Sequence, residues 1–110
     1  MSVRSANFVP ALLRFPGEAA REDSWGRFVE LAASTAILAT QTPLQALDKV
    51  LLSFEVYGEK FKDLPAMVEN SITDDDGFCR ADLRFQDEVE KRRLARCLAD
   101  LLSRHIDAPK

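Results

Sequence analysis

The residues able to do chemistry fall into a few clusters, and in each the spacing speaks against a catalytic or metal centre. The turn Asp74-Asp75-Asp76-Gly77 could supply carboxylates to calcium. With Asp74, Asp76 and Gly77 at the third, fifth and sixth positions of an EF-hand loop, however, Ile72 and Leu83 fall at the first and last positions, where carboxylates are required. Two essential ligands are missing, so the segment reads as a solvated turn or a helix cap. Cys79 and Cys97 are isolated thiols with no Cys-x-x-Cys spacing and no histidine near them, which disfavours a metal site or a redox dithiol. His105 is the sole histidine and has no nucleophile or carboxylate in a readable relation to it. Asp23, Glu30, Asp48 and Glu55 are scattered carboxylates of the kind that line any soluble surface. No catalytic residue, metal ligand or cofactor-binding loop is assigned, and the chain is expected not to be an enzyme.

The cluster Lys91-Arg92-Arg93 with Arg96 is the one group that could face phosphates, because Arg92, Arg93 and Arg96 share the side of a helix opposite Leu94 and Leu98. Asp87, Glu88 and Glu90 lie one turn upstream, at the spacing that pairs acid with base along a helix. A self-paired solvent face is the plainer account.

The elements that must carry these groups are read from apolar periodicity. From Thr42 to Leu64, the residues Leu44, Leu47, Leu51, Phe54, Tyr57, Phe61 and Leu64 recur at steps of three and four, which predicts an amphipathic helix over 43–64 with Thr42 as cap and Pro43 at its first position. A first long helix is predicted from Asp23 or Ser24 to about Ala39, a short third helix over 65–70, and a loop over 71–77. The alternation of Cys79, Ala81, Leu83 and Phe85 with Arg80, Asp82 and Arg84 taken alone suggests a strand. With no partner strand apparent, a helix starting between Arg80 and Asp87 and running to about Ile106 is preferred, its stripe being Leu94, Cys97, Leu98, Leu101, Leu102 and Ile106. The expected fold is all-α: a compact bundle of about four helices at 21–110, preceded by an apolar N-terminal arm at 1–20 broken by Pro10, Pro16 and Gly17.

Composition agrees with a folded single domain: 110 residues, 46% hydrophobic and 30% charged. Residues 1–77 hold 7 basic and 12 acidic side chains, while 78–110 hold 8 and 6. That balance argues against a nucleic-acid surface. Arg4 and Arg14 bracket an apolar segment interrupted by Pro10, which lacks the core of a secretory signal, and the small-residue run 31–39 is about half the length that spans a bilayer. A cytoplasmic location with reduced cysteines and no membrane association is expected.

What remains is binding. Phe8, Leu12, Leu13 and Phe15 on the arm, with Phe54, Tyr57 and Phe61, are the candidate partner-binding residues, since aromatic anchors dominate protein interfaces. The stretches PLQALDKVLLSFEVYGEKFKDLPAMVE (43–69) and EKRRLARCLADLLSRH (90–105), together with the size and the apolar arm, resemble the small helical anti-activators of bacterial quorum sensing. The resemblance implies a homodimer that binds a LuxR-type transcriptional regulator and blocks its dimerisation or DNA binding. Two rival readings stand beside it. One is a nucleic-acid-binding module using Arg92, Arg93 and Arg96, and the other is an immunity or antitoxin protein that covers an enzyme with its acidic first two thirds.

Overall fold

The computed structural model describes residues 2–4, 9–17, 21–56 and 58–107, with side chains placed in 9–17, 21–56 and 58–99. It is built of strands: β1 (Ser2–Arg4), β2 (Pro10–Arg14), β3 (Ser24–Ala32), β4 (Thr35–Thr40), β5 (Lys49–Val56), β6 (Glu59–Thr73) and β7 (Cys79–Phe85), followed by the helix α1 (Glu88–Asp107). Every pairing is antiparallel. The strands run in the order β3-β2-β5-β6-β7-β4, and β4 pairs back to β3, so six of them close into a barrel. Closure leaves those six no free edge. β1 pairs with Glu30–Ala32 of β3, beyond the stretch that β2 occupies.

The expected helix bundle is therefore wrong, and the reason lies in the side-chain periods. On β7, Cys79, Ala81, Leu83 and Phe85 are buried and Arg80, Asp82 and Arg84 are exposed, the period-two pattern of a half-buried strand. Its partners are β4 on one side and β6 on the other. On β5, Val50, Leu52, Phe54 and Val56 face inward. The three-residue steps that imitate a helix come from bulges. Leu52 pairs with Leu64 and Phe54 with Phe61, so one residue of β5 faces two of β6, Lys62 and Asp63. The extra residue turns Phe61 and Leu64, three apart, to the same interior. Asp63 takes the strain at φ 53° and its amide donates to Ser53 Oγ at 2.9 Å. A second bulge at Val29 does the same for Phe28 and Leu31 of β3, where a helix over 23–39 was expected.

The remaining residues of the supposed 43–64 stripe scatter. Leu44 is buried in the β4–β5 loop, Leu47 is exposed with φ 76°, and Leu51 is half-buried on the outer wall. Gly58, at φ 84°, occupies the tight turn between Val56 and Glu59, where positive φ costs glycine little. The expected N-terminal arm contains β2, which is paired on both sides, with β3 and β5. The short helix expected over 65–70 lies within β6.

α1 is the helical expectation that the structure carries. The Asp87 carboxylate accepts the Glu90 amide at 3.0 Å and so caps its start. Leu94, Cys97 and Leu98 are buried and belong to the same core as the barrel interior, and the Cys97 thiol reaches the Val56 carbonyl at 3.2 Å. Leu101, Leu102 and Ile106 lie on α1 beyond the described side chains. Arg93 clamps the helix: its guanidinium lies 4.2 Å from the Phe61 ring centroid, donates to the Lys60 carbonyl, and pairs with Glu59 and Glu90.

Candidate functional site

On the outer wall, where β3 meets β4, an open groove of about 420 Å³ is lined by Pro10, Trp25, Arg27, Ala39, Gln41 and Phe78, with Gly26 and Thr40 beneath. Trp25 and Arg27 are two apart on one strand, so both side chains stand on its outer face. Trp25 is 64% exposed. Single apolar residues on a surface are ordinary, but an indole this bare beside a guanidinium has the composition of a binding hot spot.

The backbone that holds Trp25 is over-determined. A Cβ on Gly26 would stand 2.9 Å from the Ala39 carbonyl oxygen and 3.1 Å from Thr40 Cβ, so only glycine lets β3 lie this close to β4 here. Thr40 fills the space. Its hydroxyl donates to the Trp25 carbonyl at 2.9 Å and accepts the Thr42 amide at 3.2 Å, and Thr42 Oγ1 donates to Ser24 Oγ at 2.7 Å. Among the described residues Thr40 is the buried polar side chain of an otherwise apolar interior, and its hydroxyl is satisfied on both sides.

Arg27 contrasts with four other arginines of the chain. Arg14 pairs with Asp23 and Asp63, Arg21 with Asp48, Arg84 with Glu69, and Arg93 with Glu59 and Glu90. Among the described residues no carboxylate pairs with Arg27, whose guanidinium lies 5.7 Å from the Phe78 ring centroid. Phe78 is presented by the β6–β7 turn. There the Asp74 carboxylate accepts the amides of Asp76 and Phe78, both at 3.0 Å. The acidic run is thus a hairpin turn, and no cluster of metal-ligating side chains occurs among the described residues. An uncommitted guanidinium beside an exposed indole, over the small Ala39, can hold a flat ring and an anion together: stacking on the indole and hydrogen bonds from the fork.

Of the residues nominated from sequence, Leu13, Phe15, Phe54 and Phe61 are buried in the interior, with Phe54 stacked on Phe61 at 5.0 Å and edge-on to Phe28 at 4.9 Å. Phe54 and Phe61 also line, with Leu12, a second open groove of about 380 Å³ beside Arg14 and Asp63. Leu12 faces outward, half-buried, in register with Trp25, beside the groove but not in its lining. Phe8 and Tyr57 lie outside the described residues. Arg92 and Arg96 are exposed on α1, while Arg93 is committed to Phe61 and its ion pairs. The sequence reading missed Trp25, Arg27 and Phe78 as a group. The available signal was the alternation Trp25-Gly26-Arg27-Phe28, which puts the first and third on one face of a strand.

No family model matches the sequence, and no curated protein does. Solved structures do. MrkH of K. pneumonia in its apo state matches at 16% identity and a TM-score of 0.76, over 99% of this chain and 53% of that one, and the MrkH complex with c-di-GMP matches at 17% and 0.73, over 98% and 52%. The PilZ domain of YcgR from Escherichia coli, with c-di-GMP, matches at 12% and 0.64, over 96% of this chain and 92% of that one. This is the fold of a PilZ domain. The inhibitor of motility MotI of Bacillus subtilis shares it at 11% identity and a TM-score of 0.68, over 93% and 50%. The chain spans about half the length of the MrkH and MotI chains.

The PilZ-domain fold, with a single helix among the described residues, overturns the resemblance to helical quorum-sensing anti-activators, and with it the LuxR-type target. The expected homodimer finds no support in the fold. Among the described residues no helix is long and apolar enough to cross a membrane.

Proposed function

We propose that this chain is a non-enzymatic regulatory module whose outer-wall groove binds a cyclic dinucleotide of the c-di-GMP class and passes the bound state to a protein partner. The observation that carries the reading is the pairing of an uncommitted guanidinium, Arg27, with the exposed Trp25, on a fold that superposes over nearly its whole length on the MrkH complex with c-di-GMP. A purine stacked on Trp25 and a phosphate on Arg27 use complementary chemistry at one place. Its work is assigned to the cytoplasm, where nucleotides are made.

Calorimetric titration of the purified chain with c-di-GMP tests this. Saturable binding that weakens at least tenfold in Arg27→Ala supports it, tenfold being about 1.4 kcal/mol. Heat indistinguishable from dilution removes the nucleotide. A second reading is favoured by Leu12 and Pro10, which extend the apolar surface beside Trp25: the same wall docks a protein directly. It predicts that Trp25→Ala abolishes partner capture and that c-di-GMP changes nothing.

A further inference from the structure

The strand register sets a second guanidinium in line with the first. Ala39 of β4 pairs with Arg27 on one side and with Arg80 of β7 on the other. All three stand on the outer face, because Phe28, Leu38, Cys79 and Ala81 next to them face inward. Strands lie about 4.8 Å apart, so the Arg27 and Arg80 backbones are about 10 Å apart, across an alanine that adds no bulk above the wall. Phe78 precedes Arg80 by two residues and lies under the Arg27 guanidinium. Ile72, in register with Arg80 on β6, is 67% exposed.

No carboxylate among the described residues pairs with Arg80. Asp82, the next outward residue of β7, is in register with Ile37 and Asn70. Two guanidiniums without carboxylate partners among the described residues, set across a single small residue in a chain of net charge −3, repel each other. An anion seated between them removes that repulsion, and each guanidinium takes phosphate oxygens in a two-pronged fashion.

We infer that Arg80 is the second anion-binding residue of the groove, so that the site takes one ligand bearing two phosphate groups and discriminates against a ligand bearing one. This rests on the reading of the groove as a nucleotide site and specifies what that site demands. Arg27 holds the phosphate nearest the ring on Trp25, and Arg80 holds the other across Ala39.

The test follows the arginine Nε–H signals of the ¹⁵N-labelled full chain by NMR during titration with c-di-GMP, cyclic GMP and inorganic tripolyphosphate, with Kd values for wild type, Arg27→Ala and Arg80→Ala. Both arginine signals move together with c-di-GMP. Arg80→Ala weakens c-di-GMP about tenfold, the worth of one charge-assisted contact, and changes cyclic GMP less than about twofold, whereas Arg27→Ala weakens both. If c-di-GMP does not bind but tripolyphosphate moves both signals, the nucleotide assignment falls and the paired-cation site stands. If Arg80 is unmoved by c-di-GMP and by tripolyphosphate, or Arg80→Ala weakens cyclic GMP as much as c-di-GMP, the inference is overturned.

Discussion

Gly26 and Thr40 share what is in effect one side-chain site: a Cβ built on Gly26 comes within 3.1 Å of Thr40 Cβ, and the Thr40 hydroxyl uses the room to donate to the carbonyl of Trp25. The exposed indole therefore stands on a tightly specified stretch of the outer wall. The groove is built from the inside outward.

Gly26→Ala tests the close approach. Its new methyl meets the Ala39 carbonyl oxygen at 2.9 Å, backbone that cannot swing away. Overpacking of this kind costs about 1–3 kcal/mol. Urea denaturation is expected to show that loss with an unchanged m-value, and a variant as stable as wild type would mean the two strands separate freely.

Thr40→Val keeps the shape and removes the hydroxyl, leaving the Trp25 carbonyl and the Thr42 amide without their partner. A buried unsatisfied group costs about 1–3 kcal/mol. Thr40→Ser retains the hydroxyl and is expected to regain the ordered Trp25 environment, read as fluorescence anisotropy and acrylamide quenching. Equal behaviour of the Val and Ser variants would show that packing alone holds the segment.

Arg93 fastens α1 to the barrel through the Phe61 face, the Lys60 carbonyl and two carboxylates. Arg93→Ala is expected to cost about 1–2 kcal/mol and to speed amide exchange over 88–99 more than in β5 or β7. Arg93→Lys restores charge without the planar fork, so it recovers only part. Uniform exchange across the chain would contradict a local clamp.

Leu98 lies at the centre of the helix face that joins the barrel core. Leu98→Ala is expected to destabilise by about 2–5 kcal/mol, measured by thermal unfolding. A cost under about 1 kcal/mol would mean that α1 is peripheral to the fold.

What the sequence made legible, and what it hid, follows from the bulges. α1 could be read because its stripe of Leu94, Cys97 and Leu98 has true helical spacing and Asp87 caps it. β7 announces itself through Cys79, Ala81, Leu83 and Phe85, yet a strand needs a sheet to join, and bulges disguised the other strands of the barrel. In β6 the extra residue at Lys62–Asp63 spaces Phe61 and Leu64 by three, and in β3 the extra residue at Val29 does so for Phe28 and Leu31. A local count of apolar intervals cannot separate a bulged strand from a helix turn; pairing between distant segments can. The site was hidden for the same reason. Trp25 and Arg27 share a face only on a strand, and Arg80 joins them only through the β4–β7 register.

Trp25 is the sole tryptophan of the chain, so its intrinsic fluorescence reports on the groove alone. Titration of wild type and Arg27→Ala with c-di-GMP at low and at physiological salt is the most direct measurement of the central claim. The account predicts a saturable change in Trp25 emission that weakens with salt and is lost or shifted at least tenfold in Arg27→Ala. A flat titration in wild type, or identical curves for the two proteins, would contradict it.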